Sequence, residues 1–321
     1  ILSNDKIVVD DKFGKRTEFA RADVFAISFV KPLFDRPDSK PWLFLVSGDV
    51  LKLTPTSIDD SSVAAKSSSF GRLPPFKIPL EFCQAVTWSQ STDPIRQATE
   101  LHYLLNRQKD SDLLQLRNGD RIEGEFLSLA NGQIAIETAV GETKLDVQRI
   151  RYLVFNPDLI SKPKPSTSFI SMTTSDGSSW KLSNITLEKE SLKAESVSGF
   201  KFALPITTLV ELRFFGDHAI PLSSLTPEKQ TIEKYLALSR PPTMNFNVLG
   251  GRLMVGRHPF ASGIGCMSGT TIEWSVPKNG QSFHTSVGLD RASKGKGSVR
   301  FEILVDGESK WKSEQIGKAH V

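Results

Sequence analysis

What most constrains this chain is an internal recurrence: short alternating strands and glycine turns return along it at a spacing of about 60 residues. Residues 114–126 read as strand, tight turn and strand, with Asn118 and Gly119 at the turn, two residue types that tolerate positive φ. An alternating strand follows at 133–138, then a turn at Gly141, a short strand around Leu145 and a last strand at 150–155. Upstream, the same order starts at Trp42, turns at Ser47, Gly48 and Asp49, turns again at Gly71 and ends at 85–88. Downstream, it starts at Phe169, turns at Ser175, Asp176 and Gly177, turns again at Gly199 and ends at 210–215. Residues 6–29 fit the back half of one further copy, with Gly14 at its turn. The closing aromatics Phe29, Trp88, Phe155 and Phe215 keep the register.

Each copy carries about five short strands with period-2 alternation. A strongly bent antiparallel sheet of that size is expected to close as a small barrel. The stretch 116–124, Leu-Arg-Asn-Gly-Asp-Arg-Ile-Glu-Gly, resembles the strand-turn-strand of Sm-like barrels. The boundaries read as a partial barrel at 1–30 and barrels at 39–89, 111–156 and 168–216, with helical connectors at 92–108 and 226–240. The first helix opens at Asp93 and Pro94 and sets Ile95, Ala98, Leu101, Leu104 and Leu105 on one face. The second has a cap at Thr226, Pro227 at its first position, a run to Leu238 and a stop at Pro241 and Pro242. Its apolar stripe is Ile232, Tyr235 and Leu236. Residues 161–168 read as an extended polar linker.

The last quarter, 245–321, has a different grammar. Gly263, Ile264 and Gly265 precede an alternating strand that ends at Trp274. Further strands are expected at 282–290 and 297–307, running on to 310–313, and such strands joined by glycine turns fit a β-sandwich. Four phrases in order, at 263–265, 283–290, 297–307 and 311–313, resemble the NPCBM family of carbohydrate-binding modules. The resemblance implies a galactose-binding-like jelly roll, here truncated because the chain stops at Val321, attached to secreted or cell-surface proteins and often placed beside glycosidases. Where the family carries a His two residues after its second glycine, this chain has Met267, so a ligand role for that His does not carry over. The whole chain is thus expected to be mostly β: repeated small five-stranded Sm-like barrels, two short linking helices, then the truncated sandwich.

Sugar recognition needs an aromatic face and polar groups for the hydroxyls. The candidates are Arg257, His258, Trp274, His284, Asp290 and Trp311. Against them stand plainer roles: the tryptophans as core, Asp290 as a turn former, His284 as an idle outward residue. No catalytic residue is assigned. The acidic pairs Asp10-Asp11 and Asp59-Asp60 sit in turns or loops, and the chain holds no nucleophile elbow, zincin motif or P-loop. Two cysteines, Cys83 and Cys266, and five scattered histidines suggest no metal site, and no cofactor is expected. No run of 18 apolar residues occurs, so no membrane span is expected. A net charge of +4 is mild. The densest basic cluster, Arg291, Lys294, Lys296 and Arg300, lies in a Gly-rich loop and reads as solvated. The expected partner is a polysaccharide or glycan, in a secreted or cell-envelope setting, with no catalysis. The alternative is an intracellular scaffold that meets other proteins, or RNA, through its barrels. RNA is disfavoured, since Arg121 beside the 118–120 turn has no basic counterpart in the turns at 47–49 and 175–177. An enzyme whose catalytic domain lies outside these residues is a third option.

Overall fold

The computed structural model describes residues 6–10, 15–29, 41–70, 73–163, 168–188, 190–216, 219–233, 240–277 and 280–317. It divides into two compact units, one of Ile1–Gln90 with Tyr103–Ile220 and one of Ser91–His102 with Pro221–Val321. Both are built mainly of antiparallel strands, as the alternation predicts. No helix among the described residues is long and apolar enough to cross a membrane, which leaves membrane β-barrels unaddressed.

The first unit opens with β1 (Lys6–Asp10), β2 (Arg16–Ala20) and β3 (Ala26–Ser28). Its first segment holds β4 (Trp42–Leu45), β5 (Val50–Leu51), β6 (Thr54–Ile58), β7 (Ser62–Lys66), β8 (Phe76–Pro79) and β9 (Cys83–Thr87). The second holds β10 (Asp112–Leu116), β11 (Arg121–Ala130), β12 (Gln133–Thr138), β13 (Gly141–Asp146) and β14 (Ile150–Val154). The third holds β15 (Phe169–Thr174), β16 (Ser179–Glu188), β17 (Ser191–Ser196), β18 (Lys201–Pro205) and β19 (Leu209–Phe215). The hairpin turns that open the segments carry Gly48, Gly119 and Gly177 at φ +91, +102 and +86, a region open to glycine at little cost. Turns at Gly14 and Gly71 lie outside the described residues.

The second segment runs β14-β10-β11-β12-β13, which places the fifth strand beside the first. The third repeats that order as β19-β15-β16-β17-β18. In the first segment the second strand is broken into β5 and β6, and β9 again pairs β4. A single 3-10 turn joins the fourth strand to the fifth in each, at Leu80–Phe82, Val147–Arg149 and Ile206–Thr208.

The closed small barrel expected from the sequence does not form, for among the described residues no ladder joins a fourth strand to a fifth. The free edge of the fifth strand is used elsewhere. β14 pairs antiparallel with β9, Leu153 opposite Val86, and β19 pairs with β3, Leu212 opposite Ile27. An edge strand must satisfy its outward N–H and C=O groups. Here a neighbouring segment does so.

The core of this unit is one apolar cluster drawn from all three segments. Trp180 is fully buried, stacked on Phe202 at 4.4 Å and tilted against Phe76 of the first segment at 5.7 Å. The first and third segments also meet at their turns, where Ser179 pairs with Val50. There Asp49 Oδ1 accepts the Lys181 backbone N–H at 2.6 Å, and Ser178 Oγ accepts that of Lys52 at 2.9 Å.

In the second unit, α1 (Pro94–Leu105) begins where the sequence places it and continues into the first unit from Tyr103. Asp93 caps it, accepting the N–H groups of Ile95 and Arg96 at 2.9 and 3.2 Å. Ala98, Leu101 and Leu104 are buried, whereas Ile95 is exposed. The strands are β20 (Lys229–Ile232), β21 (Thr243–Met244), β22 (Leu253–Val255), β23 (His258–Phe260), β24 (Ile264–Gly265), β25 (Thr270–Glu273), β26 (Ser298–Val299), β27 (Glu302–Val305), β28 (Glu308–Lys312) and β29 (Ile316–Gly317).

Two expectations fail here. The helix expected at 226–238 gives way to β20, which pairs with β25, Thr231 opposite Thr271. The β-branched Thr231 and Ile232 find a β-branched partner strand, and tertiary pairing overrides the helix signals. Tyr235 and Leu236 lie outside the described residues. Layered sandwich sheets are also not assembled: the described strands form five separate two-stranded pairs, and 282–289 joins no ladder. Short pairs present little continuous apolar face, so Phe283, Leu304, Val305 and Trp311 stay exposed. Both cysteines are free thiols, Cys83 buried and Cys266 exposed.

A candidate ligand pocket in the C-terminal unit

One polar side chain organises the part of this unit nearest a concavity. Asn247 is buried, its Oδ1 accepting the N–H groups of Leu249 and Gly251 at 3.0 and 2.9 Å. Its amide donates to Asp290 Oδ1 at 3.1 Å and to the Arg252 carbonyl at 3.3 Å. The turn it folds lies against α1, where a side chain on Gly251 would meet Ala98 within 2.5 Å. Asp290 is the second anchor. Its Oδ2 accepts the Met254 N–H at 3.0 Å and its Oδ1 also accepts that of Ala292 at 2.8 Å, capping a 3-10 turn at Arg291–Ser293. Asp290 and Val255 form an isolated bridge. The turn ends at Lys294 in the left-handed region, followed by Gly295.

These anchors frame an open pocket of about 380 Å³, lined by Pro94, Gly256, Leu289, Arg291, Ser293 and Lys294 together with Asp290 and Gly295. That volume is within the range of small-molecule sites. Arg291 is held below its ordinary pKa by burial, which Asp290 partly offsets, with a smaller lowering from Arg257. Lys294 pairs with the carboxylate of Asp93. The hydroxyl of Ser293 is buried with no hydrogen-bond partner.

Of the residues singled out in the sequence, Asp290 lines this pocket, and Arg257 adjoins it without lining it. Arg257 is exposed in the β22–β23 turn, next to the lining residue Gly256, while both oxygens of Asp290 are committed to N–H groups of the fold. His258 follows on β23, half-buried and edge-on to Phe260 at 4.7 Å. Trp274, His284 and Trp311 do not line the pocket. Trp274 is half-buried after β25, its indole N–H enclosed without an acceptor. His284 is exposed in the stretch that joins no ladder, and Trp311 is exposed on β28 opposite Ile303. Met267 is half-buried. Sequence reasoning missed Arg291, Ser293 and Lys294 by taking the Lys/Gly loop as solvated; the signal that marks them is the Asp cap immediately before them.

Among the described residues no group of three or more His, Cys, Asp or Glu side chains could hold a metal ion. The pocket lining is mainly apolar, with Arg291 and the Asp93-paired Lys294 as its basic side chains and the Ser293 hydroxyl enclosed, and it has room for a small ligand.

Residues 218–320 match the family described as NPCBM/NEW2 domain, the family to which the four phrases point. The match starts well before Asn245 and takes in β20, the strand that replaces the expected second helix. Neither the curated proteins nor the solved structures give a match to this chain.

Proposed function

We propose that this chain is a non-catalytic carbohydrate-binding protein whose glycan site is the pocket beside Asp290, with the strand segments of the first unit serving as scaffold. The observation that carries this reading is the match of residues 218–320 to a carbohydrate-binding module family. The pocket adds support, since it lies inside the matched residues apart from Pro94 at the start of α1. The family's association with secreted and cell-surface proteins favours an exported setting for the whole.

The rival reading, RNA or protein recognition through the segment turns, has less to stand on. Asp49 and Asp176 are 1% and 3% exposed, so two of the three turns face each other rather than a partner. In the third, Arg121 stacks on Tyr103 at 5.1 Å and donates to Gln115.

The test is a polysaccharide pull-down and glycan array with the full chain, run beside an RNA-retention assay. Saturable glycan retention without RNA retention supports the reading. RNA retention that is specific and salt-sensitive, with no glycan bound, overturns it.

A further inference from the structure

We infer that β1–β3 form a docking site for a β-hairpin of the repeat's own kind, a strand, a glycine turn and a second strand that complete this segment as β10 and β11 complete theirs.

Residues 6–29 carry the third, fourth and fifth strands of a segment. β1 and β2 pair with Ile7 opposite Phe19, as Val63 lies opposite Ile78, Ile134 opposite Leu145 and Leu192 opposite Leu204. A 3-10 turn at Arg21–Asp23 then leads to β3, in the place of the turns that lead to the other fifth strands. β3 meets β19 with Ile27 opposite Leu212, as β14 meets β9 with Leu153 opposite Val86. No first or second strand of this segment is among the described residues.

The other segments show what those two strands do. The first pairs with the fifth, setting Leu43 opposite Val86, Leu114 opposite Leu153 and Met172 opposite Leu212, all fully buried. The second pairs with the third, setting Phe126 opposite Ile136 and Ile185 opposite Ala194. At 6–29 the matching positions are uncovered. Phe19 is 45% exposed, whereas its counterparts Ile78, Leu145 and Leu204 are buried. Val9 is 47% exposed, whereas Ala65, Ile136 and Ala194 are buried. Ile27 is only half-buried. The edge of β3 is open too. Phe29 donates to the Val210 carbonyl and Phe25 accepts from Phe214. Strand alternation therefore turns the N–H groups of Ala26 and Ser28 to the opposite edge, where no ladder joins β3 among the described residues.

An open edge beside exposed apolar side chains is a template for strand addition. The occupant's first strand supplies carbonyls to Ala26 and Ser28 and an apolar side chain opposite Ile27. Its second strand runs along β1 and covers Val9 and Phe19. A lone strand would satisfy β3 and leave the second-strand place uncovered. A helix, whose carbonyls are bonded internally, would offer β3 no acceptors.

The probe is the peptide of residues 112–130, which holds β10, its turn and β11. It is added to the full chain and, separately, joined ahead of residue 1 through a flexible Gly/Ser linker. Joining raises its local concentration, so weak affinity does not hide docking. Hydrogen-exchange mass spectrometry reads the amides of 24–29. Exchange there should slow by about tenfold or more in the joined form, and the free peptide should be retained saturably. Val9→Asp and Phe19→Asp, both at exposed positions, should remove the protection while leaving the melting profile of the unjoined chain unchanged. A joined form that exchanges at 24–29 like the unmodified chain overturns the inference. So does protection that survives both substitutions. Self-association of the unmodified chain that itself protects 24–29 also overturns it, making a second copy the occupant.

Discussion

Asp49 and Lys181 come from turns in different segments, yet the Asp49 carboxylate accepts the Lys181 backbone N–H at 2.6 Å. The relation is reciprocal. Ser178, at the position of Asp49 in the other turn, accepts the N–H of Lys52, at the position of Lys181, at 2.9 Å. Two similar hairpins thus exchange similar bonds about a local two-fold axis.

This junction makes stability depend on pH. Burial raises Asp49 from its ordinary 3.8 to about 6, against the lowering effects of Ser47 and Lys181. The folded state therefore holds this proton more tightly than the unfolded chain does. Its contribution is fully present below the ordinary value and is lost as pH rises through about 6. The size implied is about 3 kcal/mol. Asp176 is raised by the same cause. Asp49→Asn keeps the shape and an acceptor for Lys181, so denaturation midpoints measured across this window should vary less with pH than in the parent. An unchanged pH profile in Asp49→Asn would show that Asp49 does not titrate here.

Trp180→Ala should cost about 3–5 kcal/mol, because the side chain is fully buried and its loss leaves a cavity between two segments. Trp180→Phe should recover much of this through its stack on Phe202. Urea titration of both variants decides the matter, and equal losses would mean that ring size is irrelevant at this site.

Gly124→Ala should prevent folding of the second segment. A methyl at Gly124 would sit 2.1 Å from the Glu137 carbonyl oxygen, which is backbone and cannot swing away. The strand bends here from its pairing with β10 to its pairing with β12. Circular dichroism and proteolysis of the variant provide the check; a native protease pattern would contradict the clash.

Asp112→Ala should cost about 2 kcal/mol by stranding two part-buried donors. Its carboxylate accepts the N–H groups of Phe126 at 2.6 Å and Asn156 at 2.7 Å, tying β11 to the end of the same segment. Hydrogen exchange should quicken at both amides. Exchange that stays slow at either one would mean that the carboxylate does not protect it.

The local grammar was readable wherever a residue type answers a local question. The 118–119 turn, the alternating strand at 133–138 and the Asp93 cap all follow from backbone preferences within a few residues. What was hidden depended on a distant partner. Nothing near Ile150 announces that its strand will pair with the one ending at Thr87 and so leave no edge for barrel closure. Thr226 and Pro227 look like a helix start, and only Thr270–Glu273, about 40 residues on, draws Lys229–Ile232 into a strand instead. Of the pocket lining, Asp290 is legible in the sequence as a turn former, while Arg291 and Lys294 read there as solvent-facing. Their placement depends on Asn247 and Asp290 meeting across the fold.

The pairing of fifth strands has a practical meaning for anyone who would dissect the chain. A fragment ending near Trp88 uncovers the outer rim of β9, and one beginning near Asp112 uncovers that of β14. Each rim is then a template onto which another molecule can add a strand. The first unit cannot be trimmed to one bead of a string: segments that look like interchangeable parts in the sequence act as one another's lids, and a well-behaved shorter version must keep them in joined pairs.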